Sequence, residues 1–180
     1  MGSIFCSLIY VRGVKKMGRM LRNMTSVYLY DDNERLLMLY RMGSRAIKDS
    51  YIGTSGGHME PDEIDDPRAC VIRELNEEVG LTVDDIENLE LRYICIRNKL
   101  GEIRNNYYFF AKLKDASKEL KSNEGNLRWC TYDEVKTLEM PHTAKYMIRH
   151  YIDKGRFDKK LYVGVGNPGK VDFTELESFE

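Results

Sequence analysis

Glu74, Glu77 and Glu78 stand in the run Arg73-Glu74-Leu75-Asn76-Glu77-Glu78-Val79-Gly80-Leu81, three carboxylates at helical spacing with one arginine beside them. At 100° per residue with Leu75 as zero, Val71, Ile72, Leu75 and Val79 fall between about -40° and +60°, a face that must be buried. Glu78, Glu74 and Glu77 then follow at about -60°, -100° and -160°, an acidic stripe that starts at the edge of that face. Like charges at these spacings cost about 0.2–0.5 kcal/mol per pair when exposed, and more at a half-buried seam. A divalent cation reverses the sign. Several carboxylates with no Cys or His among them favour Mg²⁺, with Mn²⁺ as its substitute, over zinc. Taken alone, such a triplet is an ordinary solvated face.

A second feature lies just upstream. Gly56-Gly57-His58-Met59-Glu60-Pro61-Asp62-Glu63 is a glycine pair followed by an acidic loop. Adjacent glycines let backbone carbonyl and N–H groups come close to a metal or phosphate where side chains would block them.

From Gly57 to Leu81 the chain resembles the Nudix box, the signature of hydrolases acting on a nucleoside diphosphate linked to another moiety. Gly57, Glu63 and Arg73-Glu74-Leu75-x-Glu77-Glu78-x-Gly80-Leu81 carry the match. The nine residues Ile64 to Ile72 separate Glu63 from Arg73 where the pattern has seven. Asp65 restores that spacing but puts Met59 at the leading glycine, so a two-residue insertion before Pro67 is preferred, since loops absorb insertions easily. The resemblance implies a Nudix fold, a metal-dependent hydrolase and a loop-helix-loop catalytic segment. It also implies Glu74 and Glu78 as principal Mg²⁺ ligands, Glu77 assisting, and a glycine-turn carbonyl, Gly56, completing the shell. Glu74 would also orient or deprotonate the attacking water, and Arg73 and Glu63 would pair across the loop. Family members often add an acidic ligand from a downstream loop, here Glu124 in Ser122-Asn123-Glu124-Gly125-Asn126, which also reads as a solvated turn residue.

Other residues divide between function and packing. Gly57, His58 and Arg41 are the candidates for contact with the phosphates, with Arg45 and Lys48 on the same loop as Arg41; His58 reads more readily as a partly exposed loop histidine and the basic cluster as solvated. His142 either lines a base pocket or caps the last long helix, and the cap is favoured. Trp129 and some rings of Tyr107-Tyr108-Phe109-Phe110 could stack on a base, but at strand spacing these rings alternate faces and Trp129 reads as core.

The elements that must position these residues follow from pattern. Thr25–Tyr30 and Arg35–Arg41 flank the polar turn Asp31-Asp32-Asn33-Glu34 and predict a hairpin. Tyr51-Ile52-Gly53 leads to the glycine pair. Asp66 as N-cap, Pro67 at the first helical position and Gly80 as the stop predict a helix over 67–79. Strands over 89–97 and 103–113 form a second hairpin, and a strand around 127–130 enters a short helix at 132–135. A helix then runs from Pro141 to about Lys154, and the tail around 161–173 forms a small hairpin. The fold class is α/β in the loose sense, α+β in the strict one, a mixed sheet with helices packed on it; the resemblance to the Nudix family implies that the sheet is sandwiched between helices.

The 180 residues are expected to form one domain over 24–180 with an N-terminal arm over 1–23. Lys plus Arg number 28 against 29 Asp plus Glu, so no global basic field points to a nucleic acid polymer or a membrane. Cys6, Cys70, Cys95 and Cys130 are scattered without a CxxC pair, as expected of thiols kept reduced in the cytoplasm. The apolar stretch Ile4–Val11 is too short to span a bilayer. The expected partner is a small-molecule nucleotide, with a homodimer left open. Pro141-His142-Thr143-Ala144 opening a helix ahead of Leu161-Tyr162-Val163-Gly164-Val165 looks like bacterial Nudix proteins labelled 8-oxo-dGTP diphosphatases. The expected reaction is cleavage of a nucleoside triphosphate, with an ADP-ribose-like nucleotide sugar or a non-catalytic nucleotide sensor as alternatives.

Overall fold

A computed structural model describes residues 21–41 and 49–177. Arg45, Lys48, Cys6 and most of the expected arm lie outside the described residues.

Alternation of apolar side chains along the strands feeds two separate cores. In β1 (Leu21–Tyr30), Val27 and Leu29 are buried on one face and Tyr28 on the other. The strand begins at Leu21, ahead of its expected start at Thr25, so Leu21, Arg22 and Asn23 of the expected arm belong to it. β2 (Arg35–Arg41) returns antiparallel, as the polar turn predicts, but its register with β1 covers only Leu29↔Leu37 and Tyr30↔Leu36. Beyond that point the strands diverge. β3 (Ser50–Ile52) and β6 (Asn126–Thr131) both pair with β2, while β1 turns to β5 (Glu102–Leu113) in a long parallel register.

β4 (Ile86–Lys99) and β5 form the second hairpin around Leu100-Gly101, both at positive φ, as a tight two-residue turn requires. β7 (Leu161–Asn167) adds parallel to β4, and β8 (Lys170–Leu176) closes the edge antiparallel to β7. The order is β3-β2-β1-β5-β4-β7-β8, a mixed sheet.

The helices cover both faces. α1 (Pro67–Val79) buries Val71, Leu75 and Val79 against Val27, Leu29, Phe109 and Ala111. α2 (Tyr132–Thr137) and α3 (His142–Asp153) cover the opposite face, where Met147 and Ile148 pack with Tyr28, Tyr93 and Phe110. The rings of the run from Tyr107 divide as the strand period requires. Tyr108 and Phe110 face α3, Phe110 stacking on Tyr151, whereas Tyr107 and Phe109 face α1. No helix among the described residues is long and apolar enough to cross a membrane.

Candidate active site

The site starts in the wedge where β1 and β2 part. Thr54 stands at its apex: its hydroxyl accepts from Leu29 N–H at 3.0 Å and donates to the Leu37 carbonyl at 2.6 Å, bridging the diverging strands. The glycine turn then fills the gap by pairing with β1. Val27 N–H donates to Ser55 O, Thr25 N–H to Gly57 O, and Met59 N–H to Asn23 O, at 2.9–3.0 Å. The loop is therefore bound to the sheet through its backbone, with Gly56 packed against β1 and Gly57 facing α1.

The helix bounds follow local chemistry. Asp66 accepts from Ala69 N–H at 3.0 Å, Pro67 occupies the first turn, and Gly80 ends the helix at φ 73°. In that frame Glu78 is half-buried and accepts from Gly56 N–H at 3.1 Å, Glu74 keeps 13% of its side chain exposed, and Glu77 keeps 57%. The gradient from seam to solvent follows the angular order along the helix. A Cβ on Gly57 would collide with the Glu74 carboxylate, and one on Gly56 with β1 at Ser26. Both glycines are thus required by close approach.

Arg73 organises the acids. Its Nε and one terminal nitrogen donate to the two oxygens of Glu63 at 2.7 and 2.9 Å, a bidentate pair, and its other terminal nitrogen reaches Glu74 at 2.9 Å and Glu77 at 3.1 Å. It also donates to the His58 carbonyl at 3.2 Å. Glu63, buried and further held by Glu60 N–H at 2.9 Å, takes this arginine, while Asp65 is exposed on the loop. The two extra residues are accommodated between Glu63 and Pro67.

Electrostatics separate the carboxylates. The Arg73 guanidinium brings the Glu63 carboxyl down to about 2. Glu74 moves upward, chiefly because burial disfavours its charge and also because Glu77 and Glu63 repel it; Arg73 opposes the shift. Glu78 also moves upward, through burial first and then repulsion from Glu74 and Glu124, against the hydrogen bond from Gly56 N–H and the nearby Ser55 hydroxyl. Among the described residues no three Asp, Glu, His or Cys side chains already converge as a metal cage. The reason lies in their partners: Glu74 and Glu77 lean on Arg73, Glu78 on Gly56 and Glu124 on Arg41. The donor set nevertheless fits a hard divalent cation. It offers carboxylate oxygens only, and the two nearest the glycine turn are desolvated and mutually repelled, which a cation relieves.

Glu124 reaches the site through its loop. Asn123 N–H donates to Glu78 O at 3.3 Å and its side-chain amide to Glu77 O at 3.2 Å, docking residues 122–125 on the end of α1. Beside the glycine turn lies a cavity of about 860 Å³ lined by Gly56, Gly57, His58, Arg41, Tyr28 and Tyr108, among others. His142 also lines it. Its side chain makes no cap on α3; Pro141 is the N-cap and His142 Nε2 bonds the Asn167 carbonyl at 3.0 Å, because its place in the first helical turn aims the ring at the β7–β8 turn. The favoured capping role is thereby corrected. Trp129 packs against the α1-side core under the Arg35 guanidinium, 5.4 Å above its ring. Sequence reasoning missed Thr54 and Ser55, whose positions follow from the divergence of β1 and β2 and carry no local signal.

A mixed sheet between helices, with an acidic helix facing a glycine turn beside a cavity lined by several arginines, is the arrangement that these elements build. The model of the NUDIX domain family matches residues 20–151. Solved structures share the fold. The mutator MutT protein of Bacillus halodurans is 24% identical, with a TM-score of 0.59, over 87% of this chain and 99% of that one. An Ap4A hydrolase of C. elegans is 16% identical, with a TM-score of 0.62, over 76% and 99%. The MutT protein of Methanosarcina mazei is 16% identical, with a TM-score of 0.60, over 78% and 98%. No curated protein matches the chain significantly. With most of its length matched by the family model, the chain belongs to the NUDIX family, and it is a hydrolase of phosphoanhydride bonds in nucleoside diphosphate derivatives.

Proposed function

We propose that the chain is a Mg²⁺-dependent pyrophosphohydrolase of nucleoside triphosphates, with an oxidised purine nucleotide such as 8-oxo-dGTP as the leading substrate and Mn²⁺ able to replace Mg²⁺. The observation that carries this reading is the meeting of Glu74 and Glu78, both desolvated, with the Gly56-Gly57 turn at the mouth of the cavity.

Glu74 and Glu78 would hold the cation, with Glu77, Glu124 and the Gly56 carbonyl completing its shell. Once bound, Mg²⁺ supplies Lewis-acid polarisation of the phosphoryl oxygens and lowers the pKa of a coordinated water. Glu74 orients the attacking water and accepts its proton. Arg73, anchored by Glu63, fixes where the Glu74 carboxylate stands. Arg41, His58 and the Gly57 backbone face the phosphates from the cavity side. No covalent intermediate is needed, because displacement at phosphorus depends mainly on positioning and charge neutralisation. Four cysteines scattered along the sequence without a CxxC pair suit a cytoplasmic setting.

The test is turnover of ATP, dGTP, 8-oxo-dGTP and ADP-ribose with Mg²⁺, with products resolved by anion exchange. Triphosphates should be cut at a phosphoanhydride, 8-oxo-dGTP with the highest kcat/KM. Glu78→Gln should lower kcat by at least about 100-fold, the size of a lost preorganised electrostatic group, with unchanged melting. Preference for ADP-ribose would select the nucleotide-sugar reading. Ligand-induced melting shifts without product would make the chain a sensor.

A further inference from the structure

Three arginines stand in one row across three neighbouring strands. Arg22 of β1 is the register partner of Arg104 of β5, and Arg104 is the register partner of Arg97 of β4. All three side chains line the cavity, on the face that carries Tyr28 and Tyr108, and Lys99 extends the row. Next in line on β7 stands Gly166, register partner of Arg97, where a Cβ would lie 3.1 Å from that of Arg97. The glycine leaves room for the arginine to lie over the sheet.

Like charges facing each other across strands destabilise a sheet, and partial burial strengthens the repulsion. Arg22 and Arg104 keep only 30% and 28% of their side chains exposed. One carboxylate serves the row: Glu102 accepts from Arg104 at 2.7 Å and lies 3.4 Å from Arg22. Among the described residues, Arg22 Nε makes no hydrogen bond although it is buried, the Glu102 carboxylate at 3.4 Å being its ion-pair neighbour. The other acids of the cavity, Asp49 and Glu139, lie on β3-side and α3-side segments rather than in this row. Such an excess of guanidinium groups is what a polyanion would neutralise, and planar guanidinium groups match phosphate oxygens in pairs.

The row also adjoins the glycine turn. Met59 N–H bonds to Asn23 O, so the backbone that continues from Gly57 runs alongside β1 next to Arg22. Phosphate held at Gly56 and Gly57 would therefore continue along the cavity toward the arginines.

We propose that Arg22, Arg104 and Arg97 form a second anion subsite, which selects substrates carrying phosphate beyond the phosphoanhydride that is cut. The proposal rests on the hydrolase reading for its catalytic meaning, but the subsite binds anions whether or not the acids are intact. The extra phosphate comes from a longer phosphate chain or from a phosphomonoester on the other moiety.

Calorimetric titration of the metal-free protein with inorganic tripolyphosphate tests the subsite directly. Binding is expected, weakening as salt rises. Arg97→Gln and Arg104→Gln should each weaken it about tenfold, the loss of one charge-assisted contact, with Arg97→Lys recovering part of the affinity. Glu78→Gln should bind at least as tightly as the wild type. Equal affinity in wild type and both Arg→Gln variants, or no binding to the wild type, would overturn the subsite. A second arm compares kcat/KM for adenosine 5′-tetraphosphate against ATP and for 3′-phosphorylated ADP against ADP. A preference for the longer chain or for the monoester identifies the source, and it should disappear in Arg104→Gln through KM. Tripolyphosphate binding at the row without turnover of any nucleotide would leave the subsite standing and remove the hydrolase reading.

Discussion

At the scale of single residues, Glu63 and Glu74 show how position decides what a carboxylate does. Glu63 is buried beneath a bidentate arginine and is kept charged by it, whereas Glu74, the next residue after that arginine, is desolvated and crowded by Glu77. The Glu63 carboxyl titrates at about 2 in the folded chain and near 4.5 when unfolded. Its stabilisation is present in full above the unfolded value and is lost as pH falls through about 2. Glu63→Gln should therefore lower stability at neutral pH by about 1–2 kcal/mol, the worth of a charge-assisted hydrogen bond. It should also flatten the decline between about pH 5 and 2, measured by urea unfolding at a series of pH values. An acid limb unchanged by the substitution would contradict the pairing. The sequence favours Glu63 over Asp65 as the partner of Arg73 because that choice keeps Gly57 and the helical positions, although spacing alone does not say how a loop spends two extra residues. Folding decides between them by burying one and exposing the other.

Elements were most legible where capping chemistry is local. Asp66, Pro67 and Gly80 mark α1 at both ends, and the structure runs from Pro67 to Val79 as those residues predict. Asp66→Ala removes the bond to Ala69 N–H and should cost about 1 kcal/mol, lowering Tm by about 2–4 °C without changing kcat below the transition. A change in kcat instead would mean that the cap also sets the position of the glutamates. Strand bounds were less legible. β1 starts four residues before its expected first residue because its pairing with β5 extends to Leu21↔Ile103, a contact between distant segments. The role of His142 is likewise set by a distant segment. An N-terminal histidine reads as a cap, but the β7–β8 turn supplies Asn167 O as its acceptor.

For the whole molecule, the order of elements showed a mixed sheet with helices packed on it and the family resemblance implied helices on both sides, whereas the division into two cores appears only once the strands alternate their side chains between the faces. The parallel joins β1–β5 and β4–β7 were not visible, since nothing local distinguishes them from hairpin neighbours. Those joins assemble the functional surface. The β1–β5 join sets Arg22 beside Arg104, the antiparallel β4–β5 hairpin sets Arg97 on its other side, and the parting of β1 from β2 opens the wedge that the glycine turn fills. The acidic helix was legible because its residues are contiguous, whereas the cationic wall comes from three separate strands.

The claim on which the account turns is that the half-buried glutamates of α1 form the seat of a divalent cation. Titration of the protein with Mn²⁺, followed by electron paramagnetic resonance with and without a non-hydrolysable triphosphate analogue, tests it most directly. The wild type should bind Mn²⁺ more tightly when the analogue is present, and Glu74→Gln with Glu78→Gln should abolish that binding. Mn²⁺ binding that survives the loss of both carboxylates would contradict the account.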